Sequence, residues 1–325
     1  MVYCTGVKAR YMKRILGIGL AVGLLCSPLW AASGNKNVGT KLFPFLKNGI
    51  GARPLSMGGA FTGLADDESA LYYNPAGAVY TRTKAFAASY VNYFGDVSSG
   101  YLAYLHPLGE NQTAGVALNY FNYGEFIGLD SAGNSIGNFT PGDLAFQASY
   151  ARRLKNGMAL GVTGKLIYEK IQDFSTSALA ADFGFLYHFP NQRASVGLVL
   201  QNAGFQISKF WGGVREKLPV LLKAGASIRP VGLPVVAALD VALPFDNNMY
   251  VSGGVEYLKL KPVFIRLGYS SFGQNYKAGL ESGKDNLAGF AGGVGFEIRK
   301  FRIDYAFMPY STLGSAHRFT GAYHF

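Results

Sequence analysis

The chain has 325 residues, 43 of them glycine, with aromatic residues at 14%, charged residues at 15% and a formal net charge of +11. Charged residues fall well below the roughly 25% of ordinary globular domains, and a mean hydropathy of +0.14 is low for a bundle of membrane helices. That combination fits a large membrane barrel, which hides its apolar residues in alternation. The positive excess contains no run of five or six like charges, so a basic tail or patch for nucleic acid is not supported.

Lys8, Arg10, Lys13 and Arg14 precede the apolar run 15–30, followed by Ala31, Ala32 and Ser33. This is the order of a secretory signal peptide, predicted over residues 1–32 with cleavage between Ala31 and Ser33; Met12 would serve as an alternative start. The run is shorter than the roughly 20 residues a membrane helix needs. Both cysteines, Cys4 and Cys26, fall in this leader, and Leu25 stands where a lipoprotein site wants a small residue. The mature chain is therefore expected to have no disulfide and no cysteine metal site. Without the four leader cations its formal charge is +7.

Residues 51–77 read GARPLSMGGAFTGLADDESALYYNPAG, the densest run of special residues in the sequence. Gly58 and Gly59 allow backbone angles that side chains resist. Asn74-Pro75 initiates a turn, since proline fixes its own φ and restricts the residue before it. Between them a short helix or folded loop is expected, packed closely against other parts of the chain. Asp66, Asp67 and Glu68 could hold calcium, but they lack the glycine-punctuated spacing of a calcium loop; capping or ion pairing with Arg53 is the simpler reading.

This stretch resembles the amino-terminal signature of the PorV/PorQ branch of the FadL superfamily. The matching residues are Phe45-Leu46-Lys47, Gly51-Ala52-Arg53, Met57-Gly58-Gly59-Ala60-Phe61, Ala65-Asp66-Asp67 and Tyr73-Asn74-Pro75-Ala76-Gly77. The resemblance implies that residues 33–83 form a hatch that plugs an outer-membrane barrel over 84–325. Arg53, Met57, Gly58, Gly59, Asp66, Asp67, Asn74, Pro75, Ala76 and Gly77 would be its motif. It also implies one of two roles, transport of hydrophobic small molecules across the outer membrane or service in type IX protein secretion. A structural barrel without a conducted substrate is a third reading.

From residue 84 onward the pattern is strand-like. Met158, Leu160, Val162, Leu166 and Tyr168 alternate with Ala159, Gly161, Thr163, Lys165 and Glu169, and Phe301, Ile303, Tyr305 and Phe307 alternate with Arg302, Asp304, Ala306 and Met308. Period-two alternation marks a strand, and about 9 to 11 residues cross a bilayer. Fourteen strands are predicted: 84–94, 98–107, 111–122, 142–154, 157–171, 177–190, 193–203, 218–229, 233–243, 248–258, 261–271, 286–299, 300–309 and 316–325. The fold class is thus all-β, an antiparallel transmembrane barrel of about fourteen strands with a small N-terminal plug. Tight turns fall at one end, whereas 123–141, 204–217, 272–285 and 310–315 form longer connections at the other, as in outer-membrane barrels.

An arginine or lysine on the lipid face near the midplane costs about 2–4 kcal/mol. Lys165, Glu169, Asp182, Arg266, Arg302 and Asp304 should therefore point into the lumen, as an ion-pair lattice or as the lining of a selective conduit. Phe205, Phe210 and Trp211 are expected to anchor an outer loop at the headgroup level, with an apolar lip on that loop as the other reading. The alternating Phe319, Gly321, Tyr323 and Phe325 resemble the C-terminal signal read by the barrel assembly machinery. The expected surroundings are outer-membrane lipid, that machinery, and either hydrophobic small molecules or secretion-system proteins. No cofactor is expected, and His106, His188, His317 and His324 fall at no zinc-binding spacing. The sequence offers no nucleophile–base set and reads as a non-enzyme.

Overall fold

The computed structural model describes residues 41–210, 213, 215–276 and 286–325. The expected leader over 1–32 and Trp211 lie outside the described residues. Fourteen strands close into an antiparallel barrel: β1 (Ala85–Asn92), β2 (Ser98–Gly109), β3 (Gln112–Asn122), β6 (Gly142–Arg153), β7 (Met158–Ile171), β8 (Phe174–His188), β9 (Ala194–Ser208), β10 (Leu221–Ile228), β11 (Val235–Pro244), β12 (Tyr250–Tyr257), β13 (Val263–Ser270), β14 (Phe290–Ile298), β15 (Phe301–Pro309) and β16 (Ser315–His324). Closure comes from the pairing of β1 with β16, which runs from Ala85↔His324 to Asn92↔His317. No helix among the described residues is long and apolar enough to cross a membrane; the strands do the crossing, with every ladder satisfied because the sheet has no free edge.

The two faces follow the parity of the sequence. Leu102, Val116, Phe146, Leu166, Phe183, Leu198, Ile265, Ile303 and Phe319 are exposed on the outside, whereas Gln147, Lys165, Asp182, Asp240, Glu256, Arg266, Asp304 and Arg318 are buried inside. An apolar belt of this extent would be an aggregation surface in water; against lipid it is the required one.

Two predicted connections turn out differently. Within 123–141 the chain forms a small hairpin outside the barrel, β4 (Phe126–Leu129) and β5 (Ser135–Phe139). Its turn is built by Asp130, whose Oδ1 accepts the amides of Ala132 and Asn134 at 2.9 and 2.8 Å. The second difference is at 204–217. Here β9 continues to Ser208, past Gln201, the last of its residues paired with β10 (to Leu221). The extension begins at a bulge where the β8–β9 register slips and Asn202 takes φ 59°. An extra residue of this kind bends the strand. Phe210, expected at the interface, is partly buried and packs against the apolar cluster that contains Phe43, Phe45 and Leu46. Phe205 does face outward.

Residues 41–84 run down the inside of the barrel. Pro44–Lys47 forms a 3-10 turn, α1 spans Ala52–Ser56, α2 spans Ala70–Tyr73, and a second 3-10 turn covers Pro75–Tyr80 before β1 begins. Phe43, Phe45 and Leu46 pack at the long-loop end against Phe121, Ala145 and Ile167. Met57, Phe61, Leu71 and Tyr73 join a larger apolar cluster with Tyr101, Leu105, Leu186 and Val236.

Candidate functional site

Two features of the lumen stand out: the docking of the N-terminal segment in the half nearer the short turns, and a cavity in the half nearer the long loops.

Docking rests first on backbone approach. Inward-facing glycines are paired across strands: Gly161 with Gly184, Gly197 with Gly225, and Gly254 with Gly268. A Cβ on Gly161 or Gly184 would fall closer than 3.0 Å to Pro75 or Ala76, on Gly197 or Gly225 to Thr62 or Gly63, and on Gly254 or Gly268 to Met57. The segment therefore lies with its own backbone against bare strand backbone, along three tracks in the wall. Gly58 (φ +70°) meets the backbone of Tyr269 in the same way. Gly77, the last residue of the motif, is itself pressed against Ala65, so it closes the segment on itself rather than on the wall.

Asn74 fixes the turn at the first track. Its Nδ2 donates to the carbonyls of Thr62 (2.9 Å) and Phe185 (3.0 Å), and its Oδ1 accepts the amide of Ala76 (3.2 Å). One buried side chain thus ties the segment to itself and to β8, and Pro75 follows where its fixed φ suits the turn. Asn74→Ala leaves two carbonyls without their donor, a loss of about 1–3 kcal/mol for each buried group. The expected outcome is a several-fold rise in single-channel leak conductance in planar bilayers; conductance equal to wild type would mean that this turn does not hold the segment closed.

The second means of docking is a lattice of ion pairs. Arg53 grips Glu256 through Nε and Nη2 (2.9 and 3.0 Å) and reaches Asp66 (2.6 Å) and Asp67 (3.0 Å) through Nη1. Arg266 joins Glu256 (2.6 Å) to Asp304 (2.6 Å), and Arg302 joins Asp304 (2.8 Å) to Glu68 (2.7 Å). His324 at the end of β16 lies 2.9 Å from the same Glu68 carboxylate, and Arg229 closes on Asp66 at 3.3 Å. Asp66 and Asp67 thus pair with Arg53 and, at 3.3 and 3.4 Å, also with Arg229 and Arg302 of the wall, whereas Glu68 pairs with the wall alone. Of the six lumen charges expected from sequence, Arg266, Arg302 and Asp304 belong to this lattice.

Lys165 and Asp182 pair separately at 2.7 Å and brace the bulge: Lys165 donates to Asn202 Oδ1 (2.8 Å), and the amide of Asn202 donates to Asp182 (2.8 Å). Glu169 lies apart from both groups, beside its cross-strand partner Asp143. No group of His, Cys, Asp or Glu among the described residues could hold a metal ion.

Burial alone pushes the Glu68 carboxyl up, but Arg302 and His324 outweigh it and hold its pKa at about 2. Burial pushes the neighbouring Asp67 up despite Arg302 and Arg53, so of these two segment carboxyls it is Glu68 that contributes an acid-sensitive share. A carboxyl held below its unfolded value stabilises the fold above that value and loses the contribution as pH falls toward the folded one. The thermal unfolding temperature should therefore drop between about pH 4.5 and pH 2, and Glu68→Gln should flatten that limb. An identical acid limb in the variant would remove Glu68 from the explanation.

At the long-loop end a cavity of about 340 Å³ opens between the segment and strands β10 to β15, within the range of small-molecule sites. Tyr72 and Tyr73, set edge to face at 5.0 Å, form part of its wall with Tyr250 and Phe272.

Sequence reasoning did not single out the glycine tracks, the link from Arg53 to Glu256, Glu68 as a wall contact, or the cavity. The one signal for the tracks was that these glycines all occupy inward parity in their strands.

Comparison with known proteins agrees with this architecture. A family model described as "Type IX secretion system protein PorV" matches residues 31–231. The solved structure of the Pseudomonas putida toluene transporter TodX is similar in fold, with 13% identity, TM-score 0.59, and coverage of 84% of this chain and 96% of that one. So are a Pseudomonas aeruginosa FadL homologue (10% identity, TM-score 0.58, 85% and 98% covered) and the CymD monoaromatic hydrocarbon channel (12%, 0.57, 85% and 98%). No curated protein matches the chain. With more than half of its length matched by the family model and a closed fourteen-stranded barrel of FadL type, this chain is an integral protein of the bacterial outer membrane and belongs to the PorV family.

Proposed function

We propose that this chain is a partner barrel of a type IX secretion system, docking secretion proteins or their cargo at the outer membrane. The observation that carries the reading is the match of the PorV family model to residues 31–231. The docked segment is consistent with it, because ion pairs and close backbone contact hold 51–80 across the lumen, where a solute conduit would have to run. In this reading residues 1–32 are an export signal, 33–83 a plug, and 84–325 the membrane barrel. The test is purification from a host that possesses the system. Stoichiometric recovery of a secretion component or cargo is expected, and recovery of neither would sink the proposal.

A second reading, passage of hydrophobic small molecules into the membrane, is favoured by the cavity and by the bend of β9 at Asn202, a place where the wall could open sideways. Equal retention of labelled lipid by this protein and by an unrelated empty barrel would count against it.

We also assign Phe319, Tyr323 and Phe325 to recognition by the barrel assembly machinery. Phe319 faces outward, and the amide of Phe325 bonds the carbonyl of Lys84 at the closing seam. Deletion of Phe325 is expected to cut the folded, heat-modifiable fraction in membranes several-fold; normal assembly without it would refute the assignment.

A further inference from the structure

The cavity at the long-loop end contains an ammonium group without an ion-pair partner. Lys223 is only 7% exposed, and it lines the cavity. Among the described residues it has no hydrogen-bond or ion-pair partner; its Nζ sits over the ring of Tyr73, 5.5 Å from the centroid. Asp240, one inward row deeper, feels its charge without pairing to it, and its Oδ2 already accepts the amides of Phe61 (3.0 Å) and Thr62 (2.9 Å). The other lysine on the wall, Lys47, is paired with Asp246. The described lining holds these two lysines and no carboxylate. A buried ammonium that rests over a ring face and has a carboxylate nearby but none in contact is under-compensated, and an anion in the cavity would complete its pairing.

The register shows where that anion would sit. Lys223, Ala242 and Tyr250 are partners in one inward row across β10, β11 and β12. Strands lie about 4.8 Å apart, so Lys223 and Tyr250 flank Ala242 at roughly 10 Å, and the methyl group between them leaves room for a small head group. The Tyr250 hydroxyl, like the Lys223 ammonium, has no hydrogen-bond partner among the described residues, so two free donors face one gap. The adjoining surface is aromatic: Tyr72 and Tyr73 at 5.0 Å, and Tyr250 against Phe272 at 5.1 Å. Ring faces and edges of this kind favour another ring.

We propose that this cavity binds a compact aromatic carboxylate, its anionic head between Lys223 and Tyr250 and its ring system against Tyr72, Tyr73 and Phe272. The site is independent of the secretion reading. It narrows the hydrophobic-molecule reading from neutral hydrocarbons to aromatic acids.

The test uses the purified full chain in detergent and three probes at pH 8: 2-naphthoate, its neutral methyl ester, and decanoate. Charge-assisted hydrogen bonds should give 2-naphthoate an advantage of about tenfold over the ester, followed by fluorescence titration. Competition should show decanoate weaker than 2-naphthoate. Lys223→Met should collapse the acid-over-ester preference to within about twofold, Tyr250→Phe should reduce it in part, and Lys223→Arg should restore much of it. Heat-modifiable migration reports whether each variant is folded. If Lys223→Met fails to assemble, the wild-type comparison and Tyr250→Phe still decide. Equal binding of acid and ester, no binding of either, or an undiminished preference in folded Lys223→Met would each overturn the site. Decanoate equal to 2-naphthoate would overturn its aromatic selectivity. Tight binding of the ester alone would overturn this inference while leaving the hydrophobic-molecule reading intact, and none of these results bears on recovery of secretion partners.

Discussion

Arg53→Ala should produce the largest loss of stability of any single charge removal in this barrel. Arg53 is buried, and its guanidinium serves three carboxylates at once, on the segment and on β12. Removing one member of a buried ion-pair group costs about 3–5 kcal/mol, chiefly because the partners left behind remain charged and out of water. Compensation here is incomplete. Glu256 keeps Arg266, and Asp67 keeps Arg302 at 3.4 Å, but Asp66 is left with Arg229, whose side chain is half exposed. Arg53→Lys should recover little of the loss. A lysine supplies the charge but cannot make the two parallel bonds to Glu256. The expected signs are a lower temperature for the heat-modifiable transition and faster proteolysis within 51–80, with the barrel itself still assembled. Wild-type transition temperature and protection in Arg53→Ala would show that the lattice does not retain the segment.

The barrel is legible in the sequence because its physics repeats. Period-two alternation fixes which side chains face lipid, so sequence parity alone sorts Leu160, Val162 and Leu166 to one side of β7 and Thr163 and Lys165 to the other. Strand ends are harder. The predicted strand 193–203 stops where alternation breaks, and that break is the bulge at Asn202: the strand continues to Ser208 with its faces shifted by one residue. The hairpin within 123–141 is hidden for a different reason. Its strands have four and five residues, both largely exposed, and glycine and asparagine punctuate them as they would a loop.

The lumen is legible in kind but not in connection. Sequence parity sends Arg266, Arg302 and Asp304 inward. It cannot say that Glu256 lies between Arg53 and Arg266, because that depends on how far the segment descends before it turns. Nor can parity find the cavity. Lys223 has the same inward parity as Lys165, yet Lys165 meets Asp182 and Lys223 meets a ring.

The glycine tracks make a sharper test of docking than the charges do, because they can be filled without touching any polar group. Gly161 sits on β7 with Gly184 beside it on β8, and the chain from Asn74 to Ala76 lies across both. A Cβ at Gly161 would come within 3.0 Å of three atoms, all of them backbone of Pro75 or Ala76. Backbone cannot swing aside as a flexible side chain can, so the segment would have to lift from the wall, and Asn74 would lose its reach to the Phe185 carbonyl. Overpacking of a tight contact costs about 1–3 kcal/mol, occasionally more. Gly161→Val should exceed Gly161→Ala, since its branched side chain extends the same clash. Gly164, three residues along the same strand, has open space around its Cβ position, and Gly164→Val is the matched control because valine suits a strand position. The expected result is leak conductance and proteolysis of 51–80 rising in the order Gly164→Val, Gly161→Ala, Gly161→Val, while all three variants assemble. Equal behaviour of the two valine variants would mean that the segment is not seated on this track.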